Sequence, residues 1–331
     1  MQPIFGYAVD RKPAFPWAVL GIGLTAAGVL LAAAALSVMA APPKAFFFVL
    51  TAAGVLFFAV GNAVFHAAGG RAALANGKMS WAGIFVSSGA LGVAGGAVLA
   101  RVAGQSFPFA AAPLPPLIAA CSLFLLRSKK PPDVAGGFKR VVAEPDEGKP
   151  AARPFDAANR RLPFAFVLTA ILLSVVVRAY AGGGVRLSLG IIPALLIAGA
   201  AAALGKAAGG FFADKFGARA TGTAALAVSL PFVYFSGAHP VFAVLAILFI
   251  NATMPVTLGA CASLLRGYPG LAFGLTAFAL VIGSLFIWFL PLSDSAAAFV
   301  GVSLTAVSAV LTFLFTKNKS SPLQTAGYHI G

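Results

Sequence analysis

The chain has 331 residues, 60% of them hydrophobic and only 9% charged, with a mean hydropathy of +0.96. That balance cannot supply the surface of a water-soluble domain, and it excludes disordered, fibrous and disulfide-built secreted classes. The formal net charge of +15 acquires a meaning only from where the charges lie, since nucleic-acid affinity needs a basic patch beside a base-reading motif.

The first twelve residues carry no apolar core of signal-peptide length. Within them, Gly6-Tyr-Ala-Val-Asp10-Arg11 reads G-x-x-x-D-[RK]. A bilayer core needs about 20 apolar residues per helix, and four such spans follow near 16–41, 45–68, 81–100 and 107–126. The segment 127–161 is the one long polar stretch, rich in Pro, Gly and charges of both signs, and is expected to be a linker between two membrane bundles. Six further spans follow near 162–181, 188–204, 220–236, 241–264, 270–290 and 296–316, before a polar tail over 317–331. No alternating barrel pattern occurs, so the spans are predicted to be helices and the class all-α polytopic.

On this map only Lys44, Arg101, Arg178 and Arg186 of the 23 Lys and Arg lie on one side. The rest, Lys206 included, fall on the other, which the positive-inside rule makes cytoplasmic, with both termini there. The basic excess is thus a topology signal; the basic loops also suit anionic lipid headgroups, and no nucleic-acid motif is present. Trp17, Trp81 and Trp288 fall near span ends, as expected at a membrane interface. Cys121 and Cys261 sit in apolar runs and need no oxidised partner.

A second copy of the short motif, Gly210-Phe-Phe-Ala-Asp214-Lys215-Phe-Gly217-Ala-Arg219, lies after the sixth span. The Gly permits close helix approach and the Asp can accept hydrogen bonds from a neighbouring helix N-terminus. Asn62-Ala63 and Asn251-Ala252 form a weaker echo, each followed by a glycine, Gly83 or Gly274, opening the next span. This pattern resembles the major facilitator superfamily, whose motif G-x-x-x-D-[RK]-x-G-[RK] joins the second and third helices of each six-helix half. The second copy departs from it only at Ala218; the first has Pro13 where the family usually has Gly. The resemblance implies a two-bundle fold. Residues 1–126 would supply only the third to sixth helices of an N-terminal half and 162–316 a whole C-terminal half, ten helices of an expected twelve. The start would then be the tail of a second helix, as from a mis-called start or a truncation. Asn62-Ala-Val-Phe-His66 before a glycine-rich span looks most like the fosmidomycin-resistance branch, with Ala67 where that branch usually has Pro.

From the resemblance, Asp10 and Asp214 are expected to meet helix N-termini of the opposite half, near 268–271 and near Ser80-Trp81, and to gate the cytoplasmic side with Gly6, Arg11, Gly210, Lys215, Gly217 and Arg219. Four residues are substrate-site candidates. Arg178, inside a span, either lines a cavity for an anionic substrate or snorkels to the outer interface. His66 either carries a proton or caps a helix end. Asn62 and Asn251 either bind substrate or link helices. Gly89, Gly92, Gly95 and Gly96 are similar to the superfamily's antiporter signature without its Pro, and are expected to serve helix packing.

No carboxylate falls within a predicted span, so the sequence offers no site for proton coupling beyond His66, although a proton is the expected coupling ion. With no ATP-binding loop and no metal cluster, no cofactor is expected. The expectation is a monomeric secondary transporter of a bacterial inner membrane, exporting a small drug-like or anionic metabolite by alternating access. Organic-anion uptake by the same fold, an inactive truncated remnant, and a membrane enzyme are the alternatives; scattered histidines disfavour the last.

Overall fold

The computed structural model describes residues 1–39, 44–75, 77–106, 163–290 and 293–316. The predicted span 107–126, the linker 127–161 and the tail 317–331 lie outside them. The described residues form eleven α-helices and one short 3-10 turn. These are α1 (Gln2–Arg11), α2 (Trp17–Ser37), α3 (Lys44–Ala75), α4 (Met79–Ala103), α5 (Phe164–Gly183), α6 (Ile191–Phe216), α7 (Ala218–Tyr234), α8 (Pro240–Ala252), α9 (Met254–Leu264), α10 (Pro269–Phe289) and α11 (Asp294–Phe315). Among the described residues eight stretches are long and apolar enough to cross a membrane, with α8 and α9 together making one of them. Helices satisfy their own backbone groups, which is what such apolar sequence requires in lipid.

Three spans differ from the sequence expectation. Helix α3 runs on to Ala75 rather than stopping near 68, and α6 runs on to Phe216 rather than 204. In both, glycines and a basic residue diluted the apolar pattern without breaking the helix. The span expected over 241–264 is two helices, interrupted at Thr253. Pro255 has no N–H to offer the Asn251 carbonyl four residues before it, and at the interruption the Thr253 hydroxyl turns back to donate to the Ile250 carbonyl at 2.7 Å.

The packing is one of small residues, as expected where lipid gives helices no hydrophobic reason to associate. A Cβ on Gly28 of α2 would lie 2.6 Å from the Phe58 nitrogen of α3. On α6, a Cβ at Gly205 or Gly209 would run into the carbonyls of Leu248 and Ala252 on α8. Helices α5 and α11 are joined by a buried hydroxyl cluster in which Ser174 Oγ lies 3.0 Å from Ser308 Oγ and 3.2 Å from Thr312 Oγ1. Helices α6 and α7 are separated only by Gly217, whose φ of +91° is costly for any other residue. Helices α1–α4 meet α5–α11 mainly where α1 packs on α10 and α4 packs on α6.

Candidate functional site

Both copies of the short motif place their carboxylates across the contact between the two helix groups, at one end of the bundle. The Asp10 carboxylate accepts from the Gly270 N–H at 2.9 Å and the Leu271 N–H at 2.8 Å, in the first turn of α10. Asp214 accepts from the Met79 N–H at 2.7 Å and the Ser80 N–H at 3.0 Å, in the first turn of α4. The first-turn N–H groups of a helix have no partner within it and carry its positive dipole end, so a carboxylate there forms charge-assisted bonds. The glycines make the approach possible: a Cβ on Gly270 would lie 2.6 Å from the Gly6 carbonyl oxygen, and one on Gly210 2.6 Å from that of Met79.

The two clasps are chemically unequal. The Asp10 side chain is 1% exposed and also faces Arg71 Nε of α3 at 3.4 Å, whereas Asp214 is exposed. Arg11 donates to the Tyr7 hydroxyl at 2.8 Å, and the Tyr7 ring stacks on Tyr268 at 5.9 Å, adding a second cross-group contact beside Asp10. The remaining motif cations are local. Arg219 donates to the Thr316 carbonyl at 2.7 Å and so caps the end of α11, and Lys215 sits over the Phe216 ring.

Burial lifts the Asp10 carboxyl above its ordinary value of 3.8, and the Leu271 and Gly270 N–H groups and Arg71 pull less strongly the other way. The protonated form is thereby favoured in the closed arrangement. Its contribution is complete below 3.8 and is lost as pH rises through the lifted value. Acidification should therefore tighten the α1–α10 contact rather than open it. Spin labels on Lys12→Cys and Arg266→Cys are expected to show a growing short-distance population as pH is lowered, and no such trend when Asp10→Asn is added.

Inward of the clasps lies an aromatic plug shared by both groups. The His66 ring of α3 stacks parallel to Phe273 of α10 at 6.3 Å and meets Phe85 of α4 edge-on at 5.9 Å; Phe85 and Phe273 are themselves 5.7 Å apart. Buried Val86 and Leu258 continue this core, with Leu74, Met254 and Ala277 against it. His66 is thus nine residues inside α3, among rings, and is not the end cap that the sequence allowed.

Deeper still is a cationic site. Arg178 of α5 is 4% exposed and donates through one Nη to Thr257 Oγ1 at 3.2 Å, in the first turn of α9. It does not snorkel to an outer interface. Its other Nη is buried with no hydrogen-bond partner. The Lys206 ammonium of α6 is within electrostatic reach of the Arg178 guanidinium and of the His66 imidazole. Sequence reasoning missed Lys206 because it ended the sixth span at 204 and counted this lysine among cytoplasmic charges. The usable signal was Asp214 eight residues on, with no proline between them.

The other candidates stand apart from this line. Asn251 donates to the Ile247 carbonyl of its own helix at 2.8 Å, a structural role beside the Thr253 interruption, and Asn62 is half-buried on α3. The packing role expected of the α4 glycines is not made by the described residues: a Cβ on Gly92, Gly95 or Gly96 would meet none of them within 4 Å, and one on Gly89 only the His66 ring at 3.6 Å. The α4 face that does pack on α6 carries Gly83, Ser87 and Ala94, with Ser87 donating to the Ala203 carbonyl at 2.8 Å. No group of three or more His, Cys, Asp or Glu able to hold a metal occurs among the described residues.

No family model and no curated protein matches the sequence. Solved structures do. The E. coli fucose:proton symporter FucP, in a single-residue variant form, superposes with a TM-score of 0.63 at 12% identity, over 96% of this chain and 88% of that one. A structure of FucP described as a major facilitator superfamily transporter in the outward conformation gives 0.61 at 15%, over 95% and 88%. The chain has the major facilitator fold. The aromatic plug joins α3 and α4 to α10, whereas Arg178, Lys206 and Thr257 all belong to the α5–α11 group.

Proposed function

We propose that the chain is a secondary transporter that moves a small solute by alternating access, and that it exports a drug-like or anionic compound across a bacterial inner membrane. The observation that carries this reading is the pair of carboxylate clasps, one from each repeat, closing the same end of the pathway. Rocking of the groups breaks both clasps and separates Phe85 and His66 from Phe273, which opens that end, while the other end closes. The basic residues bordering the clasped end make it the cytoplasmic one, so the closed clasps correspond to an outward-facing state. The fosmidomycin-resistance likeness of Asn62 to His66 favours export over uptake.

The test has two parts. Accumulation of a panel of small organic anions is compared in whole cells and inverted vesicles; uptake into inverted vesicles supports export, and uptake into cells overturns that direction. In the same assay Asp214→Asn should lower transport at least tenfold while membrane insertion stays intact. Unchanged transport by that variant would remove the clasp from the mechanism.

A further inference from the structure

Resting on the transporter reading, we infer that Arg178 and Lys206, with Thr257 and His66 beside them, form the binding site for a small oxyanion carrying two negative charges. Four observations meet at this place. Arg178 is almost fully buried, yet only part of its donor set is used: one Nη reaches Thr257 and the other has no partner. A guanidinium held this deep with an unused donor is a fork waiting for oxygens, since bidentate oxyanion recognition is what its planar geometry does best. Lys206 brings a second positive charge within electrostatic reach, from a different helix.

The third observation is the distribution of acids. The eight are Asp10, Asp133, Glu144, Asp146, Glu147, Asp156, Asp214 and Asp294. Asp10 and Asp214 are committed to the clasps, four of the others lie between 133 and 147, Asp156 lies before α5, and Asp294 begins α11. Asp214 shares α6 with Lys206 but is held at its clasp eight residues away, and Asp10 is held at the other clasp, so neither of these two carboxylates is spent on Arg178 or Lys206. Two like charges in a low-dielectric interior repel strongly unless an anion joins them, and a doubly charged oxyanion matches one fork and one ammonium.

The fourth observation is position. Lys206 lies eight residues, about 12 Å along α6, from Asp214, and Arg178 holds the first turn of α9, directly after the break at Thr253. His66, also within reach of Lys206, belongs to the opposite helix group and to the plug. An anion seated here therefore touches the helix that carries one clasp and lies next to the rings that seal the pathway. Binding and closure meet at His66.

The experiment uses the full chain, purified into lipid nanodiscs at neutral pH and matched ionic strength. Inorganic phosphate, methylphosphonate and succinate are the probes; chloride and a neutral sugar are the controls. Thermal unfolding is expected to move upward and saturate with at least one dianion and with neither control. Lys206→Gln should weaken the apparent affinity at least tenfold, and Arg178→Lys should do so while retaining a saturating response. If Arg178→Lys does not fold, Lys206→Gln decides alone. Failure of every dianion to stabilise the chain, or equal affinity in Lys206→Gln, overturns the site. Spin labels across the clasp, at Lys78→Cys and Lys215→Cys, are read in parallel. Two distance populations without dianion binding would overturn the anion site and leave the transporter reading standing; one fixed distance despite dianion binding would do the reverse.

Discussion

Asp10→Ala is expected to open the clasped end of the pathway. The substitution removes the acceptor from two first-turn N–H groups of α10 and takes one partner from Arg71, all in a place where the carboxylate is 1% exposed. Breaking one side of a buried charged contact costs roughly 3–5 kcal/mol, because the groups left behind stay desolvated. At about 1.4 kcal/mol per decade, the closed population should fall by at least tenfold. Distances between labels at Lys12→Cys and Arg266→Cys would lengthen accordingly. Asp10→Asn is expected to be much milder, since an amide keeps an acceptor oxygen and removes the charge that burial penalises. Equal distance distributions for the wild type and Asp10→Ala would show that Tyr7, Tyr268 and the aromatic plug hold this end closed without the carboxylate.

The second large effect concerns folding rather than gating. Gly209→Val places two methyl groups where even a Cβ would run into the Ala252 carbonyl, which belongs to the backbone of α8 and cannot rotate away. Overpacking a tight contact costs about 1–3 kcal/mol when side chains can adjust, and more is expected when the obstacle is main chain. The folded yield in detergent should fall sharply and thermal unfolding should move down by many degrees. Gly92→Val is the matched control: a Cβ there meets no described atom within 4 Å, and stability should change little. If both variants were equally stable, the close α6–α8 contact would not be a determinant of the fold.

Much of this architecture was legible because membrane sequence is governed by few rules. Length and apolarity located the helical spans that the described residues contain, and the resemblance carried by the repeated G-x-x-x-D-[RK] directed Asp10 to 268–271 and Asp214 to Ser80-Trp81, where the donors are Gly270 and Leu271 and, one residue earlier than expected, Met79 and Ser80. Lys206 was lost for the opposite reason. A window that seeks apolar runs ends a span at its first cation, although α6 carries Lys206 through ten further residues. His66 was read against Gly69 and Gly70, which suggest a helix end; α3 passes straight through them, and the glycines serve packing instead, since Phe85 and Phe273 occupy the space a side chain would need. For Gly92, Gly95 and Gly96 the spacing was visible, but periodicity cannot say toward what a helix face turns. The break at Thr253 had its signal in Pro255, overridden by the unbroken hydropathy around it.

That break gives the span over 240–264 a mechanical property that its neighbours lack. A continuous helix transmits any tilt along its whole length; a rod jointed at one residue becomes two levers with independent bearings. The α9 lever, 11 residues and about 16 Å long, shifts its far tip by about 3 Å for a swing of about 10° about Thr253, while α8 stays pinned to Gly205 and Gly209. The tip of that lever leads into Tyr268 and the first turn of α10, where Asp10 is held. Arg178 grips the same lever close to its pivot, where a small displacement becomes a larger one at the tip. The fold thus contains a gear ratio, and the side chain with the unused donor sits at its short end.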